Sequence, residues 1–212
     1  MPHQTSSASL PKNWPQSITY LTTLHIPPPL TSASIQTTTT TTPLDLNLTI
    51  IKPAPPTPSP LVRITPITTP SHPAHGQHGL LALRSLPPSS FILFYLGSLH
   101  PSSTTDNESN YDLSLDRGLD LSIDATQYGN EARFINDYRG IRPEGPNAEF
   151  RDCLIEMARG RFERRIGVFV LNAGKAGKRS KGIAKGEEIV VSYGKGFWSA
   201  RKEAGEVGNG TS

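Results

Sequence analysis

Residues 128–137 read YGNEARFIND, and residues 186–198 read GEEIVVSYGKGFW. Each joins a glycine-bearing turn to an apolar run. In the first, Gly129 opens backbone conformations that other residues avoid. Asn130 and Asn136 each bring a carbonyl acceptor and two amide donors. Ala132, Phe134 and Ile135 are placed to anchor the segment in a core. Two amides on a turn anchored this way serve either to cap local backbone groups or to hold a small polar molecule. In the second string the run EEIVVSY reads as a last strand ending at Tyr193, with Phe197 and Trp198 just beyond.

The residues between and before these strings read as strands. LVRITPI at 61–67 alternates, with Val62 and Ile64 on one side and Pro66 as its stop. Residues 80–83 and 91–96 form apolar runs about the turn Pro87-Pro88, the second closed by Gly97. YDLSLD and LDLSIDA have period two, with Leu113 and Leu115 facing Leu119, Leu121 and Ile123 across a hairpin at Arg117-Gly118. AEFRDCLIEMA and RIGVFVLN are strand-like as well, and no long amphipathic helix stands out. The expectation is a mostly β domain over residues 61–198 of the 212-residue chain, followed by a flexible tail at 199–212.

Residues 1–60 differ in texture. The first 73 residues hold 15 of the 20 prolines and one acidic residue, Asp45. They also contain six consecutive threonines at 37–42 and the stretch KPAPPTPSP. Proline cannot join a ladder, and Ser/Thr runs offer little apolar area to offset chain entropy. Residues 1–60 are therefore expected to be a Pro/Ser/Thr-rich arm, disordered or extended, with NWPQSITYLTTLHIP able to dock through Trp14, Ile18, Tyr20 and Leu21. Nothing near Met1 reads as a signal peptide, and no run approaches 18 apolar residues. Cys153 is the only cysteine, so neither an internal disulfide nor a cysteine-rich zinc cluster is expected. Beside Leu154 and Ile155 it reads as a packed thiol. The chain is expected to be intracellular, nuclear or cytoplasmic, with no membrane contact and no metal.

Between Arg159 and Lys185 nine Lys/Arg accompany one acidic residue, Glu163. The stretch NAGKAGKRSKG reads as a solvated loop, a nuclear localisation signal, a phosphate contact or a dock for an acidic partner. It has no aromatic residues on which bases would stack, so direct nucleic-acid binding is not expected.

Four strings in order over the folded part resemble the SET domain of protein-lysine methyltransferases. HGQHGLLA, with Gly76 to Ala82, is similar to the family's first glycine turn. FYLGS supplies Tyr95 and Gly97. GNEARFINDYRG with Pro146-Asn147 is similar to the family's Gly-Asn-x-x-Arg-Phe-x-Asn-His-Ser-Cys and Pro-Asn, with Asp137 in place of His and YRG in place of Ser-Cys. GEEIVVSYG ends on the motif tyrosine, Tyr193.

The resemblance implies a SET-type fold of several small sheets with a knot-like C-terminal threading. It implies S-adenosylmethionine as cofactor and a lysine of a protein, histone or non-histone, as substrate. It assigns Tyr193, with Tyr95 and Tyr128, to the catalytic site and its channel. Gly76, Gln77, His78, Gly79, Leu80, Arg133, Phe134, Asn136 and Asp137 fall to the cofactor, while Phe197 and Trp198 read either as an exposed tail anchor or, preferred because the chain lacks a cysteine-rich zinc segment, as an aromatic lid of the substrate channel. The alternative is a catalytically silent SET-fold scaffold that holds protein partners through its basic loop and proline-rich arm.

Overall fold

The computed structural model describes residues 10–28, 30, 39–40, 48–106, 109–157, 160–172 and 181–194. Phe197, Trp198, most of the basic loop and the tail from residue 199 lie outside them. The fold is mostly β, as the period-two runs require, and its strands form five small sheets among the described residues. The longest pair is Ala148–Glu156 against Phe162–Val170, antiparallel from Ala148↔Val170 to Glu156↔Phe162. Phe91–Phe94 joins the second of these through Gly167↔Phe94 and Val168↔Leu93. Val62–Pro66 pairs antiparallel with His78–Ala82. None of the described helices is long and apolar enough to cross a membrane.

The hairpin expected at Arg117-Gly118 forms between Asp112–Asp116 and Leu121–Asp124. Its turn is closed by Asp116, whose Oδ1 accepts from the backbone N–H groups of Gly118 at 2.9 Å and Leu119 at 3.1 Å. Leu115, Leu121 and Ile123 are buried as their alternation demands. Leu119 is exposed instead, because the strand begins at Leu121 and the turn carries Leu119 outward.

Packing does not begin at residue 61. Trp14 and Leu24 belong to the same buried cluster as Leu80, Ile92 and Val168. The Trp14 ring meets Tyr20 and Phe134 edge-on, at centroid distances of 5.0 and 5.7 Å. Thr19–Tyr20 runs parallel to Tyr128–Gly129, and Thr49–Ile51 extends the largest sheet beside Ala148–Glu156. The described parts of the arm are thus extended, as proline content favours, but docked on the domain. Trp14, Ile18, Tyr20 and Leu21, the residues that the sequence offers for docking, all pack on this cluster, and Leu24 joins them.

One carboxylate fastens the arm twice. Glu131 is 2% exposed and accepts from Tyr20 Oη at 3.1 Å and from the Ser59 backbone N–H at 2.7 Å. Burial, then the Glu131 charge and hydrogen bond, push the Tyr20 phenol above its ordinary range. Replacing Glu131 by Ala strands two donors, which costs about 1–3 kcal/mol each when buried. Urea unfolding of full-length Glu131→Ala should show a loss of about 2 kcal/mol. A chain cut to begin at residue 61 should lose more, because the cut exposes core that Trp14 and Leu24 cover.

Candidate active site

The two quoted strings meet. Asn136–Asp137 pairs in parallel with Val190–Val191, Asn136 opposite Val190 and Asp137 opposite Val191. That register sets Tyr193 beside the first string: its backbone N–H donates to Asp137 Oδ2 at 2.8 Å and its hydroxyl to Ile135 O at 2.7 Å. Ahead of the pair, Glu131–Phe134 makes a 3₁₀ turn whose Ala132 and Phe134 are buried. Of the expected last strand EEIVVSY, Val190–Val191 is the regular part, and Glu188 bridges Leu81 instead.

The two asparagines divide the roles left open by composition. Asn130 is 3% exposed and ties down the end of a strand, accepting from Leu96 N at 3.2 Å and donating to Phe94 O at 2.8 Å. Asn136 lines a cavity of about 420 Å³, together with Gln77, His78, Arg133, Phe134, Asp137 and Tyr193. Its Nδ2 donates to His78 O at 3.2 Å and to Glu188 Oε1 at 2.9 Å.

A second cavity, of about 180 Å³, adjoins the first. Tyr95, Leu113, Ile135 and Phe150 form its apolar walls, with Asp112 also on its lining. Tyr111, Arg133 and Tyr193 line both cavities. A larger open groove of about 820 Å³ runs past Arg142, Lys181 and Glu187. Neither Tyr95 nor Tyr193 lines it, and Arg142 is already paired there with Glu187 at 3.2 Å, so size is a poor guide to the site.

Electrostatics separate the groups. The Tyr95 hydroxyl donates to Tyr111 O at 2.6 Å, and burial, with Asp124 and Tyr193 adding, holds its phenol well above the ordinary value. Tyr95 is thus held as the neutral phenol on the lining of the smaller cavity. Arg133 donates through Nε to Ala125 O at 2.9 Å and lies over the Tyr111 ring, 4.3 Å from its centroid. Asp137, 7% exposed, is neutralised by Arg139, whose NH1 reaches its two oxygens at 3.0 and 2.8 Å. Burial raises the Asp112 carboxyl, and His100, 3.3 Å away, opposes that shift.

Of the residues singled out from sequence, Tyr95, Tyr193, Gln77, His78, Arg133, Phe134, Asn136 and Asp137 line one or both cavities. Gly76, Gly79 and Leu80 shape the turn and the strand behind it, Gly76 with φ +81° and Leu80 fully buried. Tyr128 is not on either lining: it pairs with Thr19 and stacks on His25, centroids 4.1 Å apart. Tyr111 and Phe150 also lie on these linings without a mark in the sequence. Tyr111 follows a polar loop and Phe150 sits within a long strand, so neither position carries a local signal. Among the described residues no group of His, Cys, Asp and Glu is arranged to hold a metal.

Cys153 is fully buried and burial pushes its thiol up to about 12. Its ordinary value is near 9, so the folded state keeps the proton as pH rises through 9. The stability this contributes is complete below pH 9 and is lost towards 12.

The model of the family described as SET domain matches residues 77–194 of this chain. No curated protein matches it. For the thiol, Ellman's reagent at pH 8 should react with native protein only at the rate of unfolding, and at once in denaturant.

Proposed function

The chain belongs to the SET-domain family, and from that premise we propose that it methylates a lysine side chain of a protein, with S-adenosylmethionine as donor. The observation that carries this reading is that a polar cavity adjoins a smaller, mostly apolar one and that Tyr193, the motif tyrosine, is among the residues lining both. About 420 Å³ lies within the range of small-molecule sites. The residues present fit a zwitterionic amino-acid end: Arg133 offers a cation, and Asn136 offers a carbonyl oxygen because its amide hydrogens are engaged elsewhere. Gln77 and His78 would form the turn around that end. When bound, S-adenosylmethionine supplies a methyl group on a sulfonium sulfur, open to direct displacement by an amine.

The rest falls to positioning and desolvation. A lysine entering the smaller cavity lies between Tyr95, Phe150, Leu113 and Ile135. Its reference pKa is about 10.4, and walls of this kind disfavour the ammonium form and lower that value. Tyr193 donates its O–H to Ile135 O, so towards an amine N–H it acts as acceptor. It orients the nitrogen and is not a general base. The substrate is a protein, histone or non-histone, that presents an accessible lysine.

The competing reading, a silent scaffold, draws on Asp137 at the position where the family carries His. Calorimetry on the full chain separates the two. Micromolar binding of S-adenosylhomocysteine, weakened at least about tenfold in Asn136→Ala, is the expected result for an enzyme. Absence of binding by folded wild type assigns the scaffold role. In a transfer assay with radiolabelled donor on lysine-bearing peptide arrays, Tyr193→Phe should bind cofactor normally and lose about a hundredfold in turnover.

A further inference from the structure

Asn136 is held in one amide orientation by two groups behind it. Glu188 Oε1 accepts from Asn136 Nδ2 at 2.9 Å, and Glu188 Oε2 stands 3.0 Å from His72 Nε2. The His72 tautomer is set in turn by the chain itself: the Ala74 backbone N–H donates to His72 Nδ1 at 3.0 Å. With Nδ1 accepting, the ring proton is on Nε2 and points at Glu188. Space for the carboxylate comes from Gly79, where a Cβ would stand 2.7 Å from Glu188 Oε1. Flipping the Asn136 amide would turn its oxygen on His78 O and the Glu188 carboxylate, two acceptors at 3.2 and 2.9 Å.

We propose that His72 and Glu188 are positioning residues that lock the Asn136 side chain with its carbonyl oxygen towards the cavity, so that the site selects a ligand with a cationic amine there. The inference rests on the methyl-transfer reading only for the identity of that amine. The line of control runs from the loop at His72, through a carboxylate admitted by Gly79, to one atom of the cavity lining. Neither His72 nor Glu188 lines that cavity: Glu188 acts on it through Asn136, and His72 acts through Glu188 and also through Ala74, which it holds by a hydrogen bond and which does line the cavity.

The test uses full-length wild type, His72→Phe, His72→Gln and Gly79→Ala. Phe keeps the ring but removes both the Nε2 donor and the Nδ1 acceptor of the Ala74 N–H, whereas the Gln amide restores only a donor near Nε2, so recovery in Gln assigns the effect to the Glu188 contact. One readout needs no cofactor: the side-chain amide resonances of Asn136 by ¹⁵N NMR. The other is the ratio of affinities for S-adenosylhomocysteine and 5′-methylthioadenosine, which lacks the amino-acid end. In His72→Phe and Gly79→Ala the Asn136 amide hydrogens should exchange faster. S-Adenosylhomocysteine should bind about tenfold more weakly with methylthioadenosine unchanged, the size of one lost hydrogen bond. His72→Gln should restore both readouts. An Asn136 amide unaltered in His72→Phe overturns the inference, whether or not cofactor binds, and so does an equal loss for both nucleosides. Wild type that binds neither nucleoside sinks the methyl-transfer reading, and the amide resonances still decide the positioning role.

Discussion

The site depends on a parallel ladder two residues long. Asn136–Asp137 and Val190–Val191 come from distant parts of the chain, and a pairing this short does not hold by its own hydrogen bonds. It is held from the side by Asn147, which is 5% exposed and behaves as a piece of a third strand. Asn147 exchanges backbone and side-chain bonds with Val190, at 3.1 and 2.9 Å, and its Nδ2 donates to Glu188 O at 2.8 Å. Removing this residue would leave buried Val190 groups unpaired, and Tyr193 would lose the register that brings it to Asp137 and Ile135.

Behind the ladder, the arm acts on the same segment from its other end. Tyr128–Gly129 is paired with Thr19–Tyr20, and Glu131 in the next turn is clamped by Tyr20 and Ser59. Trp14 lies against Phe134, and its neighbour Pro15 lines the cavity that Asn136 also lines. The segment from Tyr128 to Asp137 is therefore fixed at one end by the arm and at the other by the last strand. A carboxylate as buried as Glu131 is costly without partners, so the arm and the turn stabilise each other.

Much of this was legible in the sequence, and the limits have physical causes. The apolar alternation gave the hairpin and the long strands because one face of each is buried. Motif order brought Asn136 and Tyr193 together without any knowledge of the ladder between them. The arm is poor in apolar residues, yet Trp14, Ile18, Tyr20 and Leu21 suffice to dock it, since a docked arm needs few apolar residues if each lands against the core. Tyr128 and Tyr111 differ for a related reason. Both are tyrosines beside short β segments, and only the side chain facing the cavities distinguishes them. A single-residue change of register reverses that facing.

Asp137 is the departure with the clearest structural account. A carboxylate 7% exposed would by itself disfavour the fold, yet it has a fixed cation and a backbone donor. Arg139, in the YRG that replaces the family's Ser-Cys, supplies the cation from two residues away, and Tyr193 supplies the N–H. The two departures compensate each other: an aspartate without Arg139 would bury a charge, and an arginine without Asp137 would crowd Arg133 in the same cavity. With Asp137 and Arg139 neutralising one another, Arg133 is the guanidinium of that cavity that pairs with no carboxylate among the described residues. The backbone donor also gives Asp137 a task that a neutral His side chain does not perform in the same way. As an acceptor for the Tyr193 N–H, it fixes the backbone from which the tyrosine hydroxyl reaches the junction of the two cavities.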